Sequence, residues 1–468
     1  MAALIATVIL ARLLTPAEIG IYSIGAAVVL VIQLLRDFGV TQYVIQQENL
    51  NDDELRSAMA VAVIIGWGLG ILLYYSAPTI AAVYQQPGIA KLMQVLSISF
   101  FLVPFNSVTL ALFRRDFEFE KVLKVNLAST FSHTIVVIFL AWYGLSYMSM
   151  AWASVAGVVA GVGVALMLNT RKLSFRPKFS GMSKVAKFGG WMSTTTITKQ
   201  ASVAAPELII GKVLSMEAVG LFSRAIGTVR LFHYAVTSAI APLALPLFSG
   251  AAREGVDVKK IYLSMLEHVT ALAWPFYGLL ALMAYPIVTI LYGSTWTEAV
   301  APAQVLCLWA AVSSITIYRN EVLTAVGKVQ AATMVELFSL VATVALCAMA
   351  ATFGITAVAG ALIIAAIIEV IITYIMFRTI VNILISDLWQ ALNKSMYVTI
   401  WSLLIPLVVF IYLPPSSDRV WLPLILSVFG SAIGWLIGVF FHHHPYRKEL
   451  ESLWGVTKLK FRPQVHSK

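Results

Sequence analysis

The chain divides almost end to end into apolar runs of about 20 residues, the length that carries a helix across ~30 Å of hydrocarbon at about 1.5 Å per residue. Runs near 17–38, 57–84, 91–113, 122–143, 147–168, 188–214, 217–248, 258–291, 298–324, 329–352, 356–378, 389–413 and 420–441 make thirteen spans, and residues 1–14 make a shorter fourteenth. A backbone inside lipid must satisfy its own polar groups, so each run is predicted to be a helix. The composition agrees. Of 468 residues 60% are hydrophobic and 12% charged, with a mean hydropathy of +0.88, whereas an ordinary soluble domain is about a quarter charged. No globular core buries that much apolar surface, so the fold class is an all-α polytopic membrane protein.

Charge supplies the orientation. With both termini placed in the cytoplasm, 24 Lys and Arg residues fall in internal loops and the C-terminal tail, and only Arg12, Lys91, Lys212 and Arg419 fall in external loops. That asymmetry follows the positive-inside rule and puts both ends on the cytoplasmic side. The net charge of +10 is then a topological signal, and no nucleic acid partner is needed to explain it.

The sequence also repeats. Residues 9–23, ILARLLTPAEIGIYS, align with 209–223, IIGKVLSMEAVGLFS, keeping Ile9/Ile209, Leu14/Leu214, Gly20/Gly220 and Ser23/Ser223. Weaker echoes pair Pro78 with Pro286, Tyr84 with Tyr292, and 94–96 with 304–306. The second copy begins six spans after the first, an even number, so both copies run the same way, as in transporters built from two parallel halves. The expected organisation is a first lobe at 1–168, a basic linker at 169–187, a second lobe at 188–378, two additional helices at 379–441 and a basic tail at 442–468. In this register position 199 already precedes Met1, while its span begins near 188, so the first helix is expected to lack its front. Two lobes enclosing a midplane cavity predict alternating-access transport without naming a cargo.

Charges inside spans are costly and rarely face lipid. The first lobe holds almost none, whereas the second carries Lys199, Glu207, Arg224, Arg230, Glu267, Arg319, Glu336 and Glu369. Lys199, Arg224, Arg230 and Arg319 are the candidates for a cationic, phosphate-attracting cavity, because guanidinium and ammonium groups suit phosphate. Glu207, Glu267, Glu336 and Glu369 are candidates either for coupling an ion or for neutralising these cations, with Lys199–Glu207 and Arg319–Glu336 the expected pairs. Arg36-Asp37-Phe38-Gly39 reads as an interfacial helix end. The run His442-His443-His444 reads as an interfacial polar ending rather than a metal site. Cys307 and Cys347 offer neither a metal spacing nor a disulfide framework. Gly327-Lys328-Val329 does not complete a phosphate-binding loop, so no ATPase is predicted, no cofactor is expected, and no catalytic residue is assigned.

The segment LARLLTPAEIGIYSIGAAVVLVIQLLRDFGVTQYVIQQENL resembles the opening of polysaccharide flippases in the multidrug/oligosaccharidyl-lipid/polysaccharide exporter superfamily. FRRDFEFEKVL at 113–123, KFGGWMSTTTIT at 187–198 and VGLFSRAIGTVRLF at 219–232 are similar to the same group, nearest to the colanic-acid branch of the O-antigen flippases. The resemblance implies a multi-pass protein of the bacterial inner membrane that moves an undecaprenyl-diphosphate-linked oligosaccharide between leaflets, for exopolysaccharide, capsule or O-antigen synthesis. It implies a cationic cavity, coupling to an ion or to the membrane potential, and partners among membrane lipids and a polysaccharide polymerase and export complex. The shortened first helix departs from it, since in the family that helix helps form a lateral gate. Two other readings predict different residues. An ion-coupled drug/cation antiporter predicts acidic groups in mid-span, and a membrane polysaccharide polymerase or ligase predicts carboxylates on large external loops.

Overall fold

The computed structural model describes residues 2–37, 40–47, 51–169, 182–417 and 419–452. Most of the expected linker (170–181), Phe38 and Gly39 of the helix end, and the tail from 453 onward lie outside these residues. The chain is helical throughout. In order come α1 (Ala2–Leu13), α2 (Pro16–Asp37), α3 (Val40–Gln46), α4 (Asp52–Val83), α5 (Pro87–Arg115), α6 (Phe119–Trp142), α7 (Met148–Leu168), α8 (Met182–Val213) and α9 (Met216–Val229). There follow α10 (Ser238–Glu254), α11 (Val258–Leu282), α12 (Ala284–Tyr292), α13 (Val300–Ser313), α14 (Arg319–Ala325), α15 (Val329–Ala351), α16 (Ile355–Ile380), α17 (Ile385–Tyr412) and α18 (Trp421–Phe441). Among the described residues there is no strand, only an isolated bridge between Ser416 and Arg419.

Eleven segments among the described residues are long and apolar enough to span a membrane, so this is a multi-pass membrane protein. The fourteen expected spans differ from these eleven in identifiable places. α1 has 12 residues, about 18 Å of helix. The run expected at 217–248 is interrupted, since α9 stops at Val229 and a π-turn at His233–Thr237 separates it from α10. The run expected at 298–324 is also broken, by a 3₁₀ turn at Ser314–Thr316 between α13 and α14.

Helix starts follow local chemistry. Asn51 and Glu54 form a reciprocal capping box at α4, and Thr15 does the same with Glu18 at α2, accepting the Glu18 N–H at 3.3 Å while its own N–H donates to the carboxylate at 2.7 Å. Ser215 caps α9 at the repeat-equivalent position, accepting from Ala218 N–H at 3.1 Å. Pro16 takes the first turn of α2, where its missing N–H leaves no bond unmade.

The chain folds into two compact units, each drawn from discontinuous stretches of sequence. Unit 1 comprises Met1–Arg224, Leu291–Glu298 and Glu336–Ala361, and unit 2 comprises Ala225–Ile290, Ala299–Val335 and Leu362–Lys468. Unit 1 therefore takes in the whole first expected lobe together with parts of the second.

Within unit 1 the two copies of the repeated motif touch each other. A Cβ placed on Gly20 would sit 1.7 Å from Met216 O, and one on Gly220 would sit 1.8 Å from Pro16 O. Each glycine faces the residue four before its counterpart, the reciprocity expected of a two-fold relation. Ser23 Oγ donates to Ser223 Oγ at 3.0 Å beside the crossing. Only glycine admits backbones this close.

Within unit 2 the C-terminal pair α17–α18 packs through Gly430, Gly434 and Gly438, spaced four apart on one face of α18; a Cβ on Gly434 would lie 2.1 Å from Trp401 O. α11 clamps this pair with polar bonds. Trp435 Nε1 donates to Ala271 O at 2.8 Å, and Thr270 Oγ1 donates to Ser395 Oγ at 2.9 Å. Beyond the end of α18, His444 is 1% exposed, stacked on Tyr446 and edge-on to His268. The expected polar ending is thus partly a buried one.

This packing sets two expectations. Gly20→Ala should destabilise the detergent-purified protein by about 2 kcal/mol, the usual range for overpacking, while Gly68→Ala, where a Cβ meets open space, should leave the melting temperature unchanged or raise it. Burial, reinforced by the positive charges of His268 and Lys394, pushes the His444 imidazole down to about 4. The unfolded chain, with a histidine near 6.5, therefore binds the extra proton first, so stability should fall as pH drops from 6.5 toward 4, by at most about 3 kcal/mol. Unfolding measured across that window should be less steep for His444→Phe.

Candidate functional site

The eight charged residues singled out from the sequence divide between the units. Lys199, Glu207, Arg224 and Glu336 belong to unit 1, and Arg230, Glu267, Arg319 and Glu369 to unit 2.

Lys199 lies 14 residues from the end of α8, about 21 Å along the axis and so near the middle of a spanning helix. Its side chain is exposed and makes no ion pair or hydrogen bond with any described residue. An unpaired ammonium at this depth is not stable against lipid tails and requires water or an anion. The expected Lys199–Glu207 pair is therefore not made. Glu207, further along α8, instead acts by charge on Arg224.

Arg224 is held by rings. Its guanidinium carbon lies 5.8 Å from the centroids of both Tyr292 and Trp296, within range of cation–π attraction. Trp296 is fully buried and fixed by its own N–H, which donates to Ala11 O at 2.7 Å. An arginine held this way is largely committed to its own fold. Glu336 is also buried in this unit, at 4% exposure.

In unit 2, Arg319 opens α14 just after the helix break. It is 4% exposed, and its Nη1 contacts Glu369 Oε1 on α16 at 2.6 Å. Thr316 Oγ1 donates to the same carboxylate at 3.2 Å, and Asn320 Oδ1 accepts from Arg319 Nε at 3.3 Å. The expected partner of Arg319 was Glu336; the carboxylate set on its fork is Glu369. Sequence spacing could not distinguish them, because 17 and 50 residues of separation say nothing about which neighbouring helix faces the break. The break itself is supported from α11, where Tyr262 Oη donates to Ile315 O at 2.7 Å and Trp274 Nε1 donates to Ala311 O at 3.0 Å. Sequence reasoning misses these tyrosine and tryptophan donors; apart from the aromatic type, the sequence carries no signal for them.

Glu267 is paired too, with Lys394 Nζ at 3.3 Å. Arg230 differs. It sits between α9 and the π-turn, half-buried, and its side chain has no partner among the described residues. The cations thus fall into two kinds. Arg224 and Arg319 are neutralised within the fold, and Lys199 and Arg230 are available to an external anion. Among the described residues no group of His, Cys, Asp and Glu is placed to hold a metal ion.

The pairing of Arg319 is testable. Glu369→Ala should cost about 3 kcal/mol by stranding a buried guanidinium, whereas the double substitution Arg319→Met with Glu369→Met should recover most of that loss in thermal unfolding.

A family model described as "Polysaccharide biosynthesis protein" matches residues 9–301. The teichuronic acid biosynthesis protein TuaB of Bacillus subtilis is 22% identical over 307 residues, 64% of this chain and 62% of that protein. The lipopolysaccharide biosynthesis protein WzxC of Escherichia coli is 20% identical over 324 residues, 67% of this chain and 64% of that protein. The chain therefore spans under two thirds of the length of these relatives. Among solved structures, the lipid II flippase MurJ in an inward closed conformation aligns with a TM-score of 0.76 at 14% identity, over 94% of this chain and 96% of that one. An inward-facing multidrug resistance MATE family transporter of the MOP superfamily aligns with a TM-score of 0.71 at 13% identity, over 81% and 94%. At these identities the structural likeness speaks for the fold.

Proposed function

The chain belongs to the polysaccharide biosynthesis protein family, and on that basis we propose that it is a flippase for a lipid-linked oligosaccharide. The cargo is an undecaprenyl-diphosphate-linked glycan, moved by alternating access from the inner to the outer leaflet of a bacterial inner membrane, with both termini cytoplasmic. The observation that carries this reading is Lys199, an exposed ammonium in the middle of a spanning helix, unpaired among the described residues. A diphosphate is the kind of group such a cation serves, because it brings compact negative charge to a depth where water is scarce. Arg230, also without a side-chain partner among the described residues, adds a guanidinium able to donate two hydrogen bonds to phosphate.

Three further observations support a transporter of this kind. The fold is that of MurJ and MATE proteins. The relatives carry names from teichuronic acid, lipopolysaccharide and succinoglycan biosynthesis, and the last, ExoT of Rhizobium meliloti, is named as a transport protein. The reciprocal crossing at Gly20 and Gly220, with Ser23 on Ser223, is a small contact that a moving transporter can make and break. Coupling to an ion falls to carboxylates already paired with cations, Glu267 and Glu369, and to the buried Glu336. A polymerase and export complex is the expected recipient of the product.

The test is surface polysaccharide in a flippase-deletion strain complemented with this chain, with membrane expression checked. Lys199→Ala and Arg230→Ala should each lower polymer output by about tenfold or more at normal expression, the scale of a lost charge-assisted bond. The Arg319→Met, Glu369→Met double variant should retain most of the output. Ser23→Cys with Ser223→Cys should cross-link on oxidation, stop transport, and recover with reductant. Polymer undiminished by Lys199→Ala and Arg230→Ala overturns the phosphate-binding role, and polymer never restored by the parent chain favours the antiporter reading.

A further inference from the structure

An open cavity of about 640 Å³ lies between α4 and α5 in unit 1, near the helix ends that join at 84–86. Its lining changes character with depth. Lys91, the fifth residue of α5, stands at the rim with Gln94 one turn further in. Across from them on α4 are Tyr74 and Tyr75, their rings edge to face at 5.5 Å. Ile98 and Phe101 form the floor, Phe101 ten residues beyond Lys91, about 15 Å deeper along the helix axis.

Lys91 makes no ion pair or hydrogen bond with a described residue, and the lining contains no carboxylate to neutralise it. It is also one of only four basic residues on the side that the charge asymmetry assigns to the exterior. A free cation and a tyrosine pair at interface depth, above an apolar floor, have the polarity order of a lipid lying with its headgroup at the rim.

We propose that this groove is a binding site for an anionic phospholipid, with its phosphate on Lys91 and an acyl chain along Ile98 and Phe101. A zwitterionic lipid fits less well, because its own cation would find no acid in the lining. Free phosphate fits less well, because one exposed ammonium offers it little and the floor offers nothing. The site shares no residue with Lys199 or Arg230, and it stands independently of the transport reading.

Native mass spectrometry of the delipidated full chain tests it, with phosphatidylglycerol, phosphatidylcholine and inorganic phosphate titrated separately. The expected result is a tightest adduct with phosphatidylglycerol that Lys91→Gln weakens about fivefold, the scale of one basic residue acting on an anionic lipid. Ile98→Trp, which fills the floor, should weaken it as well. Lys212→Gln, a change at another basic residue on the same side, should not. Equal adducts with the two lipids, a Lys91→Gln protein that binds phosphatidylglycerol like the parent, or equally tight binding of inorganic phosphate would each overturn the proposal.

Discussion

Hydrocarbon offers no hydrogen bonds, and almost everything in this molecule answers to that. Backbone polar groups must be satisfied inside each segment, which is why the described residues are helical from end to end. Charges meet the same demand. In water an exposed lysine needs no explanation; in mid-membrane every cation must be matched by a carboxylate, an aromatic face, an aqueous space or a ligand. Arg319 has Glu369, and Arg224 has Tyr292 and Trp296 with the charge of Glu207 nearby. The two that the described residues leave unmatched, Lys199 and Arg230, gain functional meaning because the others are accounted for.

The same constraint weakens the hydrophobic effect as a packing force, since lipid tails are as apolar as side chains. Helix association then rests on close approach and interhelical hydrogen bonds. The molecule uses both at the repeat, with Gly20 against Met216 O, Gly220 against Pro16 O, and Ser23 on Ser223. It uses both again at the C-terminal pair, where the glycines of α18 admit Trp401 and Val398 of α17 while Trp435 and Ser395 bond to backbone carbonyls of α11. Duplication explains the first case economically. A motif that places a cap, a proline or methionine and a glycine at fixed spacing makes a self-complementary surface when copied, so one sequence supplies both sides of a contact.

Much of this is legible in the sequence, and what is not has a common cause. The helical class, the position of most spans and the repeat follow from local composition and spacing, which act within a helix. The breaks in 217–248 and 298–324 are not legible, because each lies in a run whose hydropathy alone reads as continuous. The partner of Arg319 is misread for the same reason, and so is the commitment of Arg224 to two rings that come from a segment almost seventy residues away. Pairings between helices depend on rotation about the helix axis, which periodicity constrains weakly when a helix is apolar nearly all round. The glycine stripe 430–434–438 is readable in principle from its spacing of four, yet in an apolar helix glycine spacing acquires meaning only when a neighbouring backbone is found against it.

The two kinds of break in unit 2 differ in their support. At the 3₁₀ turn, carbonyls released from helical bonding are taken up by Tyr262 and Trp274 of α11, both buried or nearly so, and Arg319 emerges directly afterward into its carboxylate. That break is braced from outside, and it fixes a charge in place. At the π-turn the wider helix is stabilised by its own backbone, and Arg230 just before it has no side-chain partner among the described residues. A π-turn can shift along a helix by exchanging one set of backbone bonds for another, without leaving any group unsatisfied in lipid. The braced break suits a scaffold, and the unbraced one suits a cation that must reach toward an anion and later release it. A transporter needs both properties, because a site that held its cargo as firmly as Arg319 holds Glu369 would bind and never let go.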